Sequence, residues 1–429
     1  MTLVGRILEA RVQPEITRLK KLYDEECPNI RARQLQSFSS VWDDVRQNVP
    51  YYRDRVAAGE LPSEIGCWEG FLQLPIQTRD MVRAHMPELI DTRRPPDRWS
   101  STGGSTGEPL RFPVWRSQVA FTEPVHWLGR AEYGVRRSDR LFMLWGHHLQ
   151  TGWRHVMHNA RRSLKDGLLG YVRFSAYDLS PDRLRRAADL MLRARPRYII
   201  AYSNALSAFA RANEDRSAEL SALRLKVAIG AAERFLSPQD RQLISSVLGC
   251  PVGMEYGSRE TIIIAHTLPS ADYRTYWHIY LVEPHELRDG KARLLVTALY
   301  PRSLPLIRYD MGDVAEGVQL DHGAVVGFRR LVGRANDYVE LWDGTVIHPL
   351  TFVQHLRTVA GVLAFQIRCR AKRDIVIDLM CREDLGPETQ ALVRKRVGLV
   401  HPAIGKVDVR CVRQLTQTPA GKLKWVIEE

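Results

Sequence analysis

The sequence predicts an α/β protein in two parts: a large N-terminal domain over residues 1–332, with mostly parallel sheet covered by helices, and a small α+β domain over 333–429. Three observations carry this expectation. Residues 1–98 read as a helical first lobe, residues from about 100 to 332 alternate helical patterns with short apolar runs, and the pattern resets after Gly333-Arg334. The first lobe ends in Asp91-Thr-Arg-Arg-Pro-Pro-Asp97, where the paired prolines stop any helix. In the second region Tyr198-Ile-Ile-Ala-Tyr202 reads as a buried strand, followed by a helix opened by Ser203 and then by Leu225-Lys-Val-Ala-Ile-Gly230. A further helix begins near Ser237-Pro238 and leads to Val252-Gly-Met-Glu-Tyr256. Such alternation requires crossover connections, hence parallel strands under helices. The last region reads as strands Phe365 to Arg370, Asp374 to Met380 and Lys406 to Val412, with a helix from Pro387 to Val400.

Composition narrows the class. A chain of 429 residues with 45% hydrophobic content can bury a sizeable core. Apolar runs such as Thr261-Ile-Ile-Ile-Ala265 fall far short of the roughly 18 residues that a membrane helix needs. Arg6, Glu9 and Arg11 interrupt the first residues, so no signal-peptide apolar region forms and a cytoplasmic location is expected. The six cysteines lack C-x-x-C spacing, which predicts reduced thiols, mostly in the core, with neither disulfide framework nor zinc site. The net charge of +13 is spread along the chain rather than gathered into a stripe, so nucleic acid is not the expected partner. A diffuse positive field suits small polyanions such as ATP.

One loop carries the most chemistry. Ser100-Ser-Thr-Gly-Gly-Ser-Thr-Gly-Glu-Pro109 interleaves glycines with hydroxyl side chains, a composition that turns backbone N–H groups and hydroxyls toward an anion. It is no Walker loop. Gly107 is followed by Glu108-Pro109 and the extended run Leu110 to Val114, where a Walker loop would place a lysine and open a helix. Further on, Glu255-Tyr-Gly-Ser-Arg-Glu260 leaves a strand through a glycine turn: Tyr256 offers a ring to a nucleobase, Gly257 and Ser258 form the turn, and Glu260 offers a carboxylate to Mg²⁺. Pro305-Leu-Ile-Arg-Tyr-Asp-Met-Gly-Asp313 places an aspartate where its oxygens could accept both hydroxyls of a ribose. Gly333-Arg334 with Asp337, and Pro419-Ala-Gly-Lys422, complete the set.

Taken in order, these five motifs resemble the adenylate-forming superfamily, which includes the acyl-CoA synthetases, over essentially the whole chain. Val49-Pro-Tyr-Tyr-Arg53, Leu74-Pro-Ile-Gln-Thr-Arg79 and Gly230-Ala-Ala-Glu233 are most similar to its phenylacetate:CoA ligase and capsule-biosynthesis adenylating branch. The resemblance implies that Ser101, Thr102, Gly103, Gly104, Ser105, Thr106 and Gly107 hold the β- and γ-phosphates of ATP, and that Ala231, Ala232 and Glu233 line the adenine. It gives Tyr256 the adenine stack, Glu260 the Mg²⁺, Asp313 the ribose, Arg334 a second ribose and phosphate contact, and Lys422 the bridge between substrate carboxylate and α-phosphate. Three positions depart from the family pattern: Glu108 replaces a frequent lysine, Arg259 a frequent hydroxyl residue, and Asn336 the acid at the interdomain pivot. The zinc that some relatives carry near the segment of His278 is not expected, since the cysteines it would need are absent.

The implied reaction is activation of a carboxylic acid to an acyl-adenylate followed by transfer to a thiol, coenzyme A in the first instance. Amide formation with an amine acceptor, AMP transfer, a carrier protein as acceptor and a non-catalytic nucleotide-binding scaffold stand as alternatives, and the sequence leaves room for a homodimer. Trp145, His147, His148, Trp153, Tyr202 and Ser203 fall on loops near the carboxyl ends of strands, which suits an aromatic or small polar acid.

Overall fold

In the computed structural model, the local signals read from the sequence produce helices and strands in the expected order. The structure describes residues 3–25, 27–101, 110–145, 164–176, 179, 181–235, 238–270, 272–288, 290–334, 339–341, 346–347, 352, 355–356, 359, 361–370, 374–381, 385–416 and 426–428. The chain divides into two compact units, one of residues 1–102, 108–234 and 243–332, the other of 103–107, 235–242 and 333–429.

The larger unit opens with helices α1 (Leu3–Asp24), α2 (Ile30–Asn48) and α3 (Pro50–Ala57), followed by short helical turns as far as Leu89. Asn29 starts α2: its side chain accepts the Ala32 N–H at 3.0 Å from a left-handed backbone that Asn tolerates. The lobe is held by buried rings. Phe38 meets Phe71 edge-on at 5.0 Å, and Trp42 meets Tyr52 at 5.6 Å.

Strands β1 (Arg98–Ser101) and β2 (Arg111–Val114) pair antiparallel, with Ser101 opposite Arg111, so the glycine-rich loop joins two strands rather than opening a helix. The main sheet has eleven strands: β3 (Leu141–Trp145), β4 (Tyr171–Ser175), β5 (Tyr198–Tyr202), β6 (Ala228–Ala231), β7 (Val252–Tyr256), β8 (Ala265–Thr267), β9 (Tyr273–Thr275), β10 (Tyr280–Arg288), β11 (Lys291–Ala298), β12 (Tyr309–Asp321) and β13 (Ala324–Arg334). Their order is β10-β11-β12-β13-β9-β8-β7-β6-β5-β3-β4. The α/β class holds, with one correction. Only β4, β3, β5, β6 and β7 form the parallel set, and the pairings β7–β8, β8–β9, β9–β13, β10–β11 and β11–β12 are antiparallel. Past Tyr256 the connections are too short to carry a crossover helix, so the strands pair antiparallel, with β9 beside β13 and β10 at the sheet edge. In the parallel half both faces are covered, and every residue of β5 and β6 is buried.

In the smaller unit β14 (Val339–Glu340) pairs with β15 (Val346–Ile347), and a second sheet runs β18 (Val407–Val412), β17 (Asp374–Cys381), β16 (Val362–Arg370), β19 (Val426–Glu428). The helix Pro387–Gly398 buries Val393 and Val397 into a core with Phe365, Ile367, Ile375 and Ile377. The cysteines depart from expectation: Cys250 is buried, Cys67 exposed and the other four half-buried.

Candidate active site

The carboxyl ends of β6 and β7 present Ala231 to Glu233 and Tyr256 to Glu260, and Asp313 stands in β12. Strand β6 ends at the buried Ala231, and Ala232 then turns the chain with a positive φ of 68°. Glu233 follows, and its carboxylate accepts the Asn204 N–H at 3.0 Å while its carbonyl accepts the Ser203 hydroxyl at 2.6 Å. That carboxylate therefore caps the helix Ser203–Ala212, where a helix N-terminus favours negative charge. One strand over, Trp145 ends β3 and Tyr202 ends β5, with ring centroids 4.2 Å apart. Two of the expected substrate-pocket residues thus form an aromatic pair.

Strand β7 ends at Tyr256, which is 5% exposed and meets Tyr273 and Phe328 in T-shaped contacts. Its hydroxyl donates to Asp313 Oδ2 at 3.1 Å, so two residues 57 apart in sequence, read separately as adenine and ribose contacts, are adjacent. Gly257 is required by packing: a Cβ there would lie 1.9 Å from the Ile262 carbonyl oxygen. The turn is a hydroxyl network in which Ser258 Oγ accepts the backbone N–H groups of Glu260 and Thr261, each at 3.2 Å. It closes with Ile262 at φ 68°, a conformation that costs a β-branched residue about 1–3 kcal/mol. Arg302 and Tyr280 hold it from below, donating to the carbonyl oxygens of Glu260 and Thr261.

The Glu260 carboxylate at the centre of this turn is 2% exposed. Tyr309 donates its hydroxyl to Oε1 at 3.0 Å, and the Arg79 guanidinium stands 3.8 Å from the same oxygen. Burial opposes the Arg79 charge, but Tyr309 and Glu260 more than restore it, holding the guanidinium above its ordinary value. Asp313 adds a weaker effect on Arg79 in the same direction. Burial first, and then Glu260, push the Tyr309 phenol well above its usual range, so Tyr309 serves as a neutral donor. Glu260 Oε2 carries no hydrogen bond from a described residue, and a carboxylate oxygen so left would suit a hard divalent cation. Arg79 and Tyr309, the two side chains that stand against Glu260, are positions that the sequence reading passed over. Both lay inside quoted motifs, Leu74 to Arg79 and Pro305 to Asp313, but no local spacing brings residue 79 to residue 260.

Ser101 ends β1 and is exposed. Thr102, Gly103, Gly104, Ser105, Thr106, Gly107, His147, His148, Trp153, Asn336, Asp337 and Lys422 lie outside the described residues, as does the side chain of Arg334, whose backbone ends β13. His278 bonds the Tyr23 hydroxyl through Nδ1 at 2.8 Å, and burial together with Arg18 pulls its pKa down to about 4. Among the described residues no group of three or more His, Cys, Asp or Glu side chains is placed to hold a metal, and no helix is long and apolar enough to cross a membrane.

No family model matches the chain. It is 21% identical over 433 residues to Protein CapK of Staphylococcus aureus, covering 96% of this chain and 91% of that one. Among solved structures it is similar to a 2-hydroxyisobutyryl-CoA ligase in its postadenylation state (TM-score 0.70, 16% identity, 92% of this chain and 89% of that chain). It is also similar to an acyl acid amido synthetase (TM-score 0.61, 14% identity, 90% of this chain and 86% of that chain). This chain shares its fold with the 2-hydroxyisobutyryl-CoA ligase and with the acyl acid amido synthetase.

Proposed function

We propose that this protein activates a carboxylic acid with ATP and passes the acyl group to a thiol, coenzyme A in the first instance. The observation that carries the reading is the adjacency of two pairs, Tyr256 with Asp313 and Arg79 with Glu260, at the strand ends of a fold shared with acid–CoA ligases. A carboxylate is a poor electrophile, because its charge repels nucleophiles and its oxygen leaves badly. Attack of a carboxylate oxygen on the α-phosphorus forms a P–O bond and breaks the bond to the β-phosphate, releasing pyrophosphate. The thiol sulfur then attacks the carbonyl carbon, AMP leaves, and the thiol proton passes to solvent.

Two anions must meet in the first step, so positive charge and hydrogen-bond donors decide its rate. Asp313 accepts the ribose hydroxyls, with Tyr256 orienting the carboxylate. Ala231, Ala232 and Glu233 border the adenine, and residues 101–107 bind the terminal phosphates. Glu260 holds Mg²⁺, which when bound neutralises phosphate charge, while Arg79 and Tyr309 fix the direction of that carboxylate. Lys422 bridges the acid and the α-phosphate, and Arg334 supports the nucleotide. The domain 333–429 carries Lys422, and the Asn336 region is the pivot about which it turns between the two half-reactions. The Trp145–Tyr202 ring pair supports an aromatic acid over a small polar one.

The likeness to an acyl acid amido synthetase supports a second reading, in which an amine takes the place of the thiol. The similarity to CapK supports the capsule-biosynthesis branch. A panel of carboxylic acids with ATP and labelled pyrophosphate tests activation, and thiols and amines offered to the active acid distinguish the acceptors. Acid-dependent entry of label into ATP is the expected result, and its absence with every acid would favour a nucleotide-binding scaffold.

A further inference from the structure

Arg79 and Tyr309 come together from segments far apart in sequence. The segment Leu72 to Arg79 leaves the helical lobe and lies against the start of β12 as one extra parallel rung, Gln77 opposite Tyr309. Gln77 is completely buried and uses both its backbone and its amide to make that rung. Its N–H donates to the Arg308 carbonyl at 3.2 Å, and its carbonyl accepts the Asp310 N–H at 2.9 Å. Its side-chain oxygen accepts the Ile307 N–H at 3.0 Å, and its side-chain nitrogen donates to the Tyr52 hydroxyl at 2.7 Å and the Pro305 carbonyl at 3.2 Å. Arg308, held at φ 49°, works from the other side: it donates to the carbonyl oxygens of Leu72 and Leu74, each at 2.8 Å, and pairs with the buried Glu283. Directly after Gln77, Thr78 caps a helix through its hydroxyl, which accepts the Met81 N–H at 3.1 Å, and Arg79 is the first residue of that helix.

We propose that Gln77 is a positioning residue for the nucleotide site: the rung it builds sets Arg79 and Tyr309 together against Glu260. This rests on the acid-activation reading above. One glutamine aligns both partners of the same carboxylate because Arg79 follows it by two residues and Tyr309 stands opposite it. The consequence is specific. Loosening the rung changes how Glu260 receives a metal-bound triphosphate but not how Tyr256 and Asp313 receive the nucleoside, since no Gln77 hydrogen bond reaches either residue.

The test is calorimetric binding of Mg²⁺–ATP and of metal-free AMP to the full chain, with thermal unfolding measured in parallel. Gln77→Met, which keeps length and apolar volume, is expected to weaken Mg²⁺–ATP binding by about tenfold or more while AMP affinity stays within about twofold, the scale seen when a residue behind a metal ligand is lost. Tyr52→Phe removes one partner of Gln77 and is expected to shift the same ratio less; it decides the matter if Gln77→Met does not fold. A fall in thermal stability with the native ratio of the two affinities, in either folded variant, would overturn the proposal and leave Gln77 a packing residue. Wild-type protein that binds neither nucleotide would instead overturn the acid-activation reading on which the proposal stands.

Discussion

Replacing Glu260 by Gln removes one negative charge and almost no volume, so its effects on stability and on chemistry can be separated. The structure sets the first magnitude. At 3.8 Å from Arg79, the Coulomb attraction is about 4 kcal/mol with an effective dielectric constant of about 20. Arg79 remains 29% exposed, so solvent screening reduces this to roughly 2 kcal/mol. The Tyr309 hydroxyl keeps an acceptor in the amide oxygen, with a loss of about 1 kcal/mol on going from a charged to a neutral partner. A total near 3 kcal/mol leaves a chain of this size folded but measurably weaker to denaturant. The catalytic loss is separate. An amide is a poor ligand for a hard cation, and adenylation is expected to fall by about 10² to 10³, or about 2.7–4 kcal/mol. ATP–pyrophosphate exchange measured across a Mg²⁺ titration reads this directly. The variant should need far more Mg²⁺ or fail to saturate. A native Mg²⁺ dependence in folded Glu260→Gln would remove the residue from the metal site.

Four further outcomes are expected. Asp313→Ala should weaken ATP binding by roughly 2–4 kcal/mol, the scale of two hydrogen bonds to a charged acceptor, and native protein that binds ATP and its dideoxyribose analogue equally would refute the clamp. Lys422→Ala should lose about 10² to 10³ in pyrophosphate exchange yet convert a synthetic acyl-adenylate to thioester at near-native rate; exchange at the native rate would refute its role, and equal loss of both activities would refute the two-conformation scheme. Gly257→Ala should be destabilised by several kcal/mol in denaturant unfolding, because its Cβ would overlap the Ile262 backbone. Burial, with Arg130 beside one ring and Arg18 beside the other, pulls the pKa values of His126 and His278 down to about 4. Both depressed values mean that the unfolded chain binds these protons first, so stability is complete above about pH 6.5 and lost as pH falls toward 4. Denaturation midpoints measured across that window should fall with acid, and less steeply in His126→Asn.

Local chemistry was legible in the sequence. The apolar run Tyr198 to Tyr202 and the helix after Ser203 stand where periodicity placed them, as do the turn after Tyr256 and the strand that follows the glycine-rich loop, because each depends on neighbours within a few residues. Residue types at motif spacing also pointed to Tyr256, Glu260 and Asp313, since a nucleobase, a hard cation and a ribose demand a ring and carboxylates whatever the fold. Tertiary structure decided the rest. Strand direction beyond Tyr256 depends on which strand comes to lie alongside, and short apolar runs read the same in parallel and antiparallel sheets. The cation beside Glu260 comes from residue 79, far away in sequence, and is delivered by a hydrogen-bonded rung between Gln77 and Tyr309 that no periodicity encodes. Glu233 makes the same point: the carboxylate was visible in the sequence, but the helix N-terminus that it caps came beside it only when β5 and β6 paired.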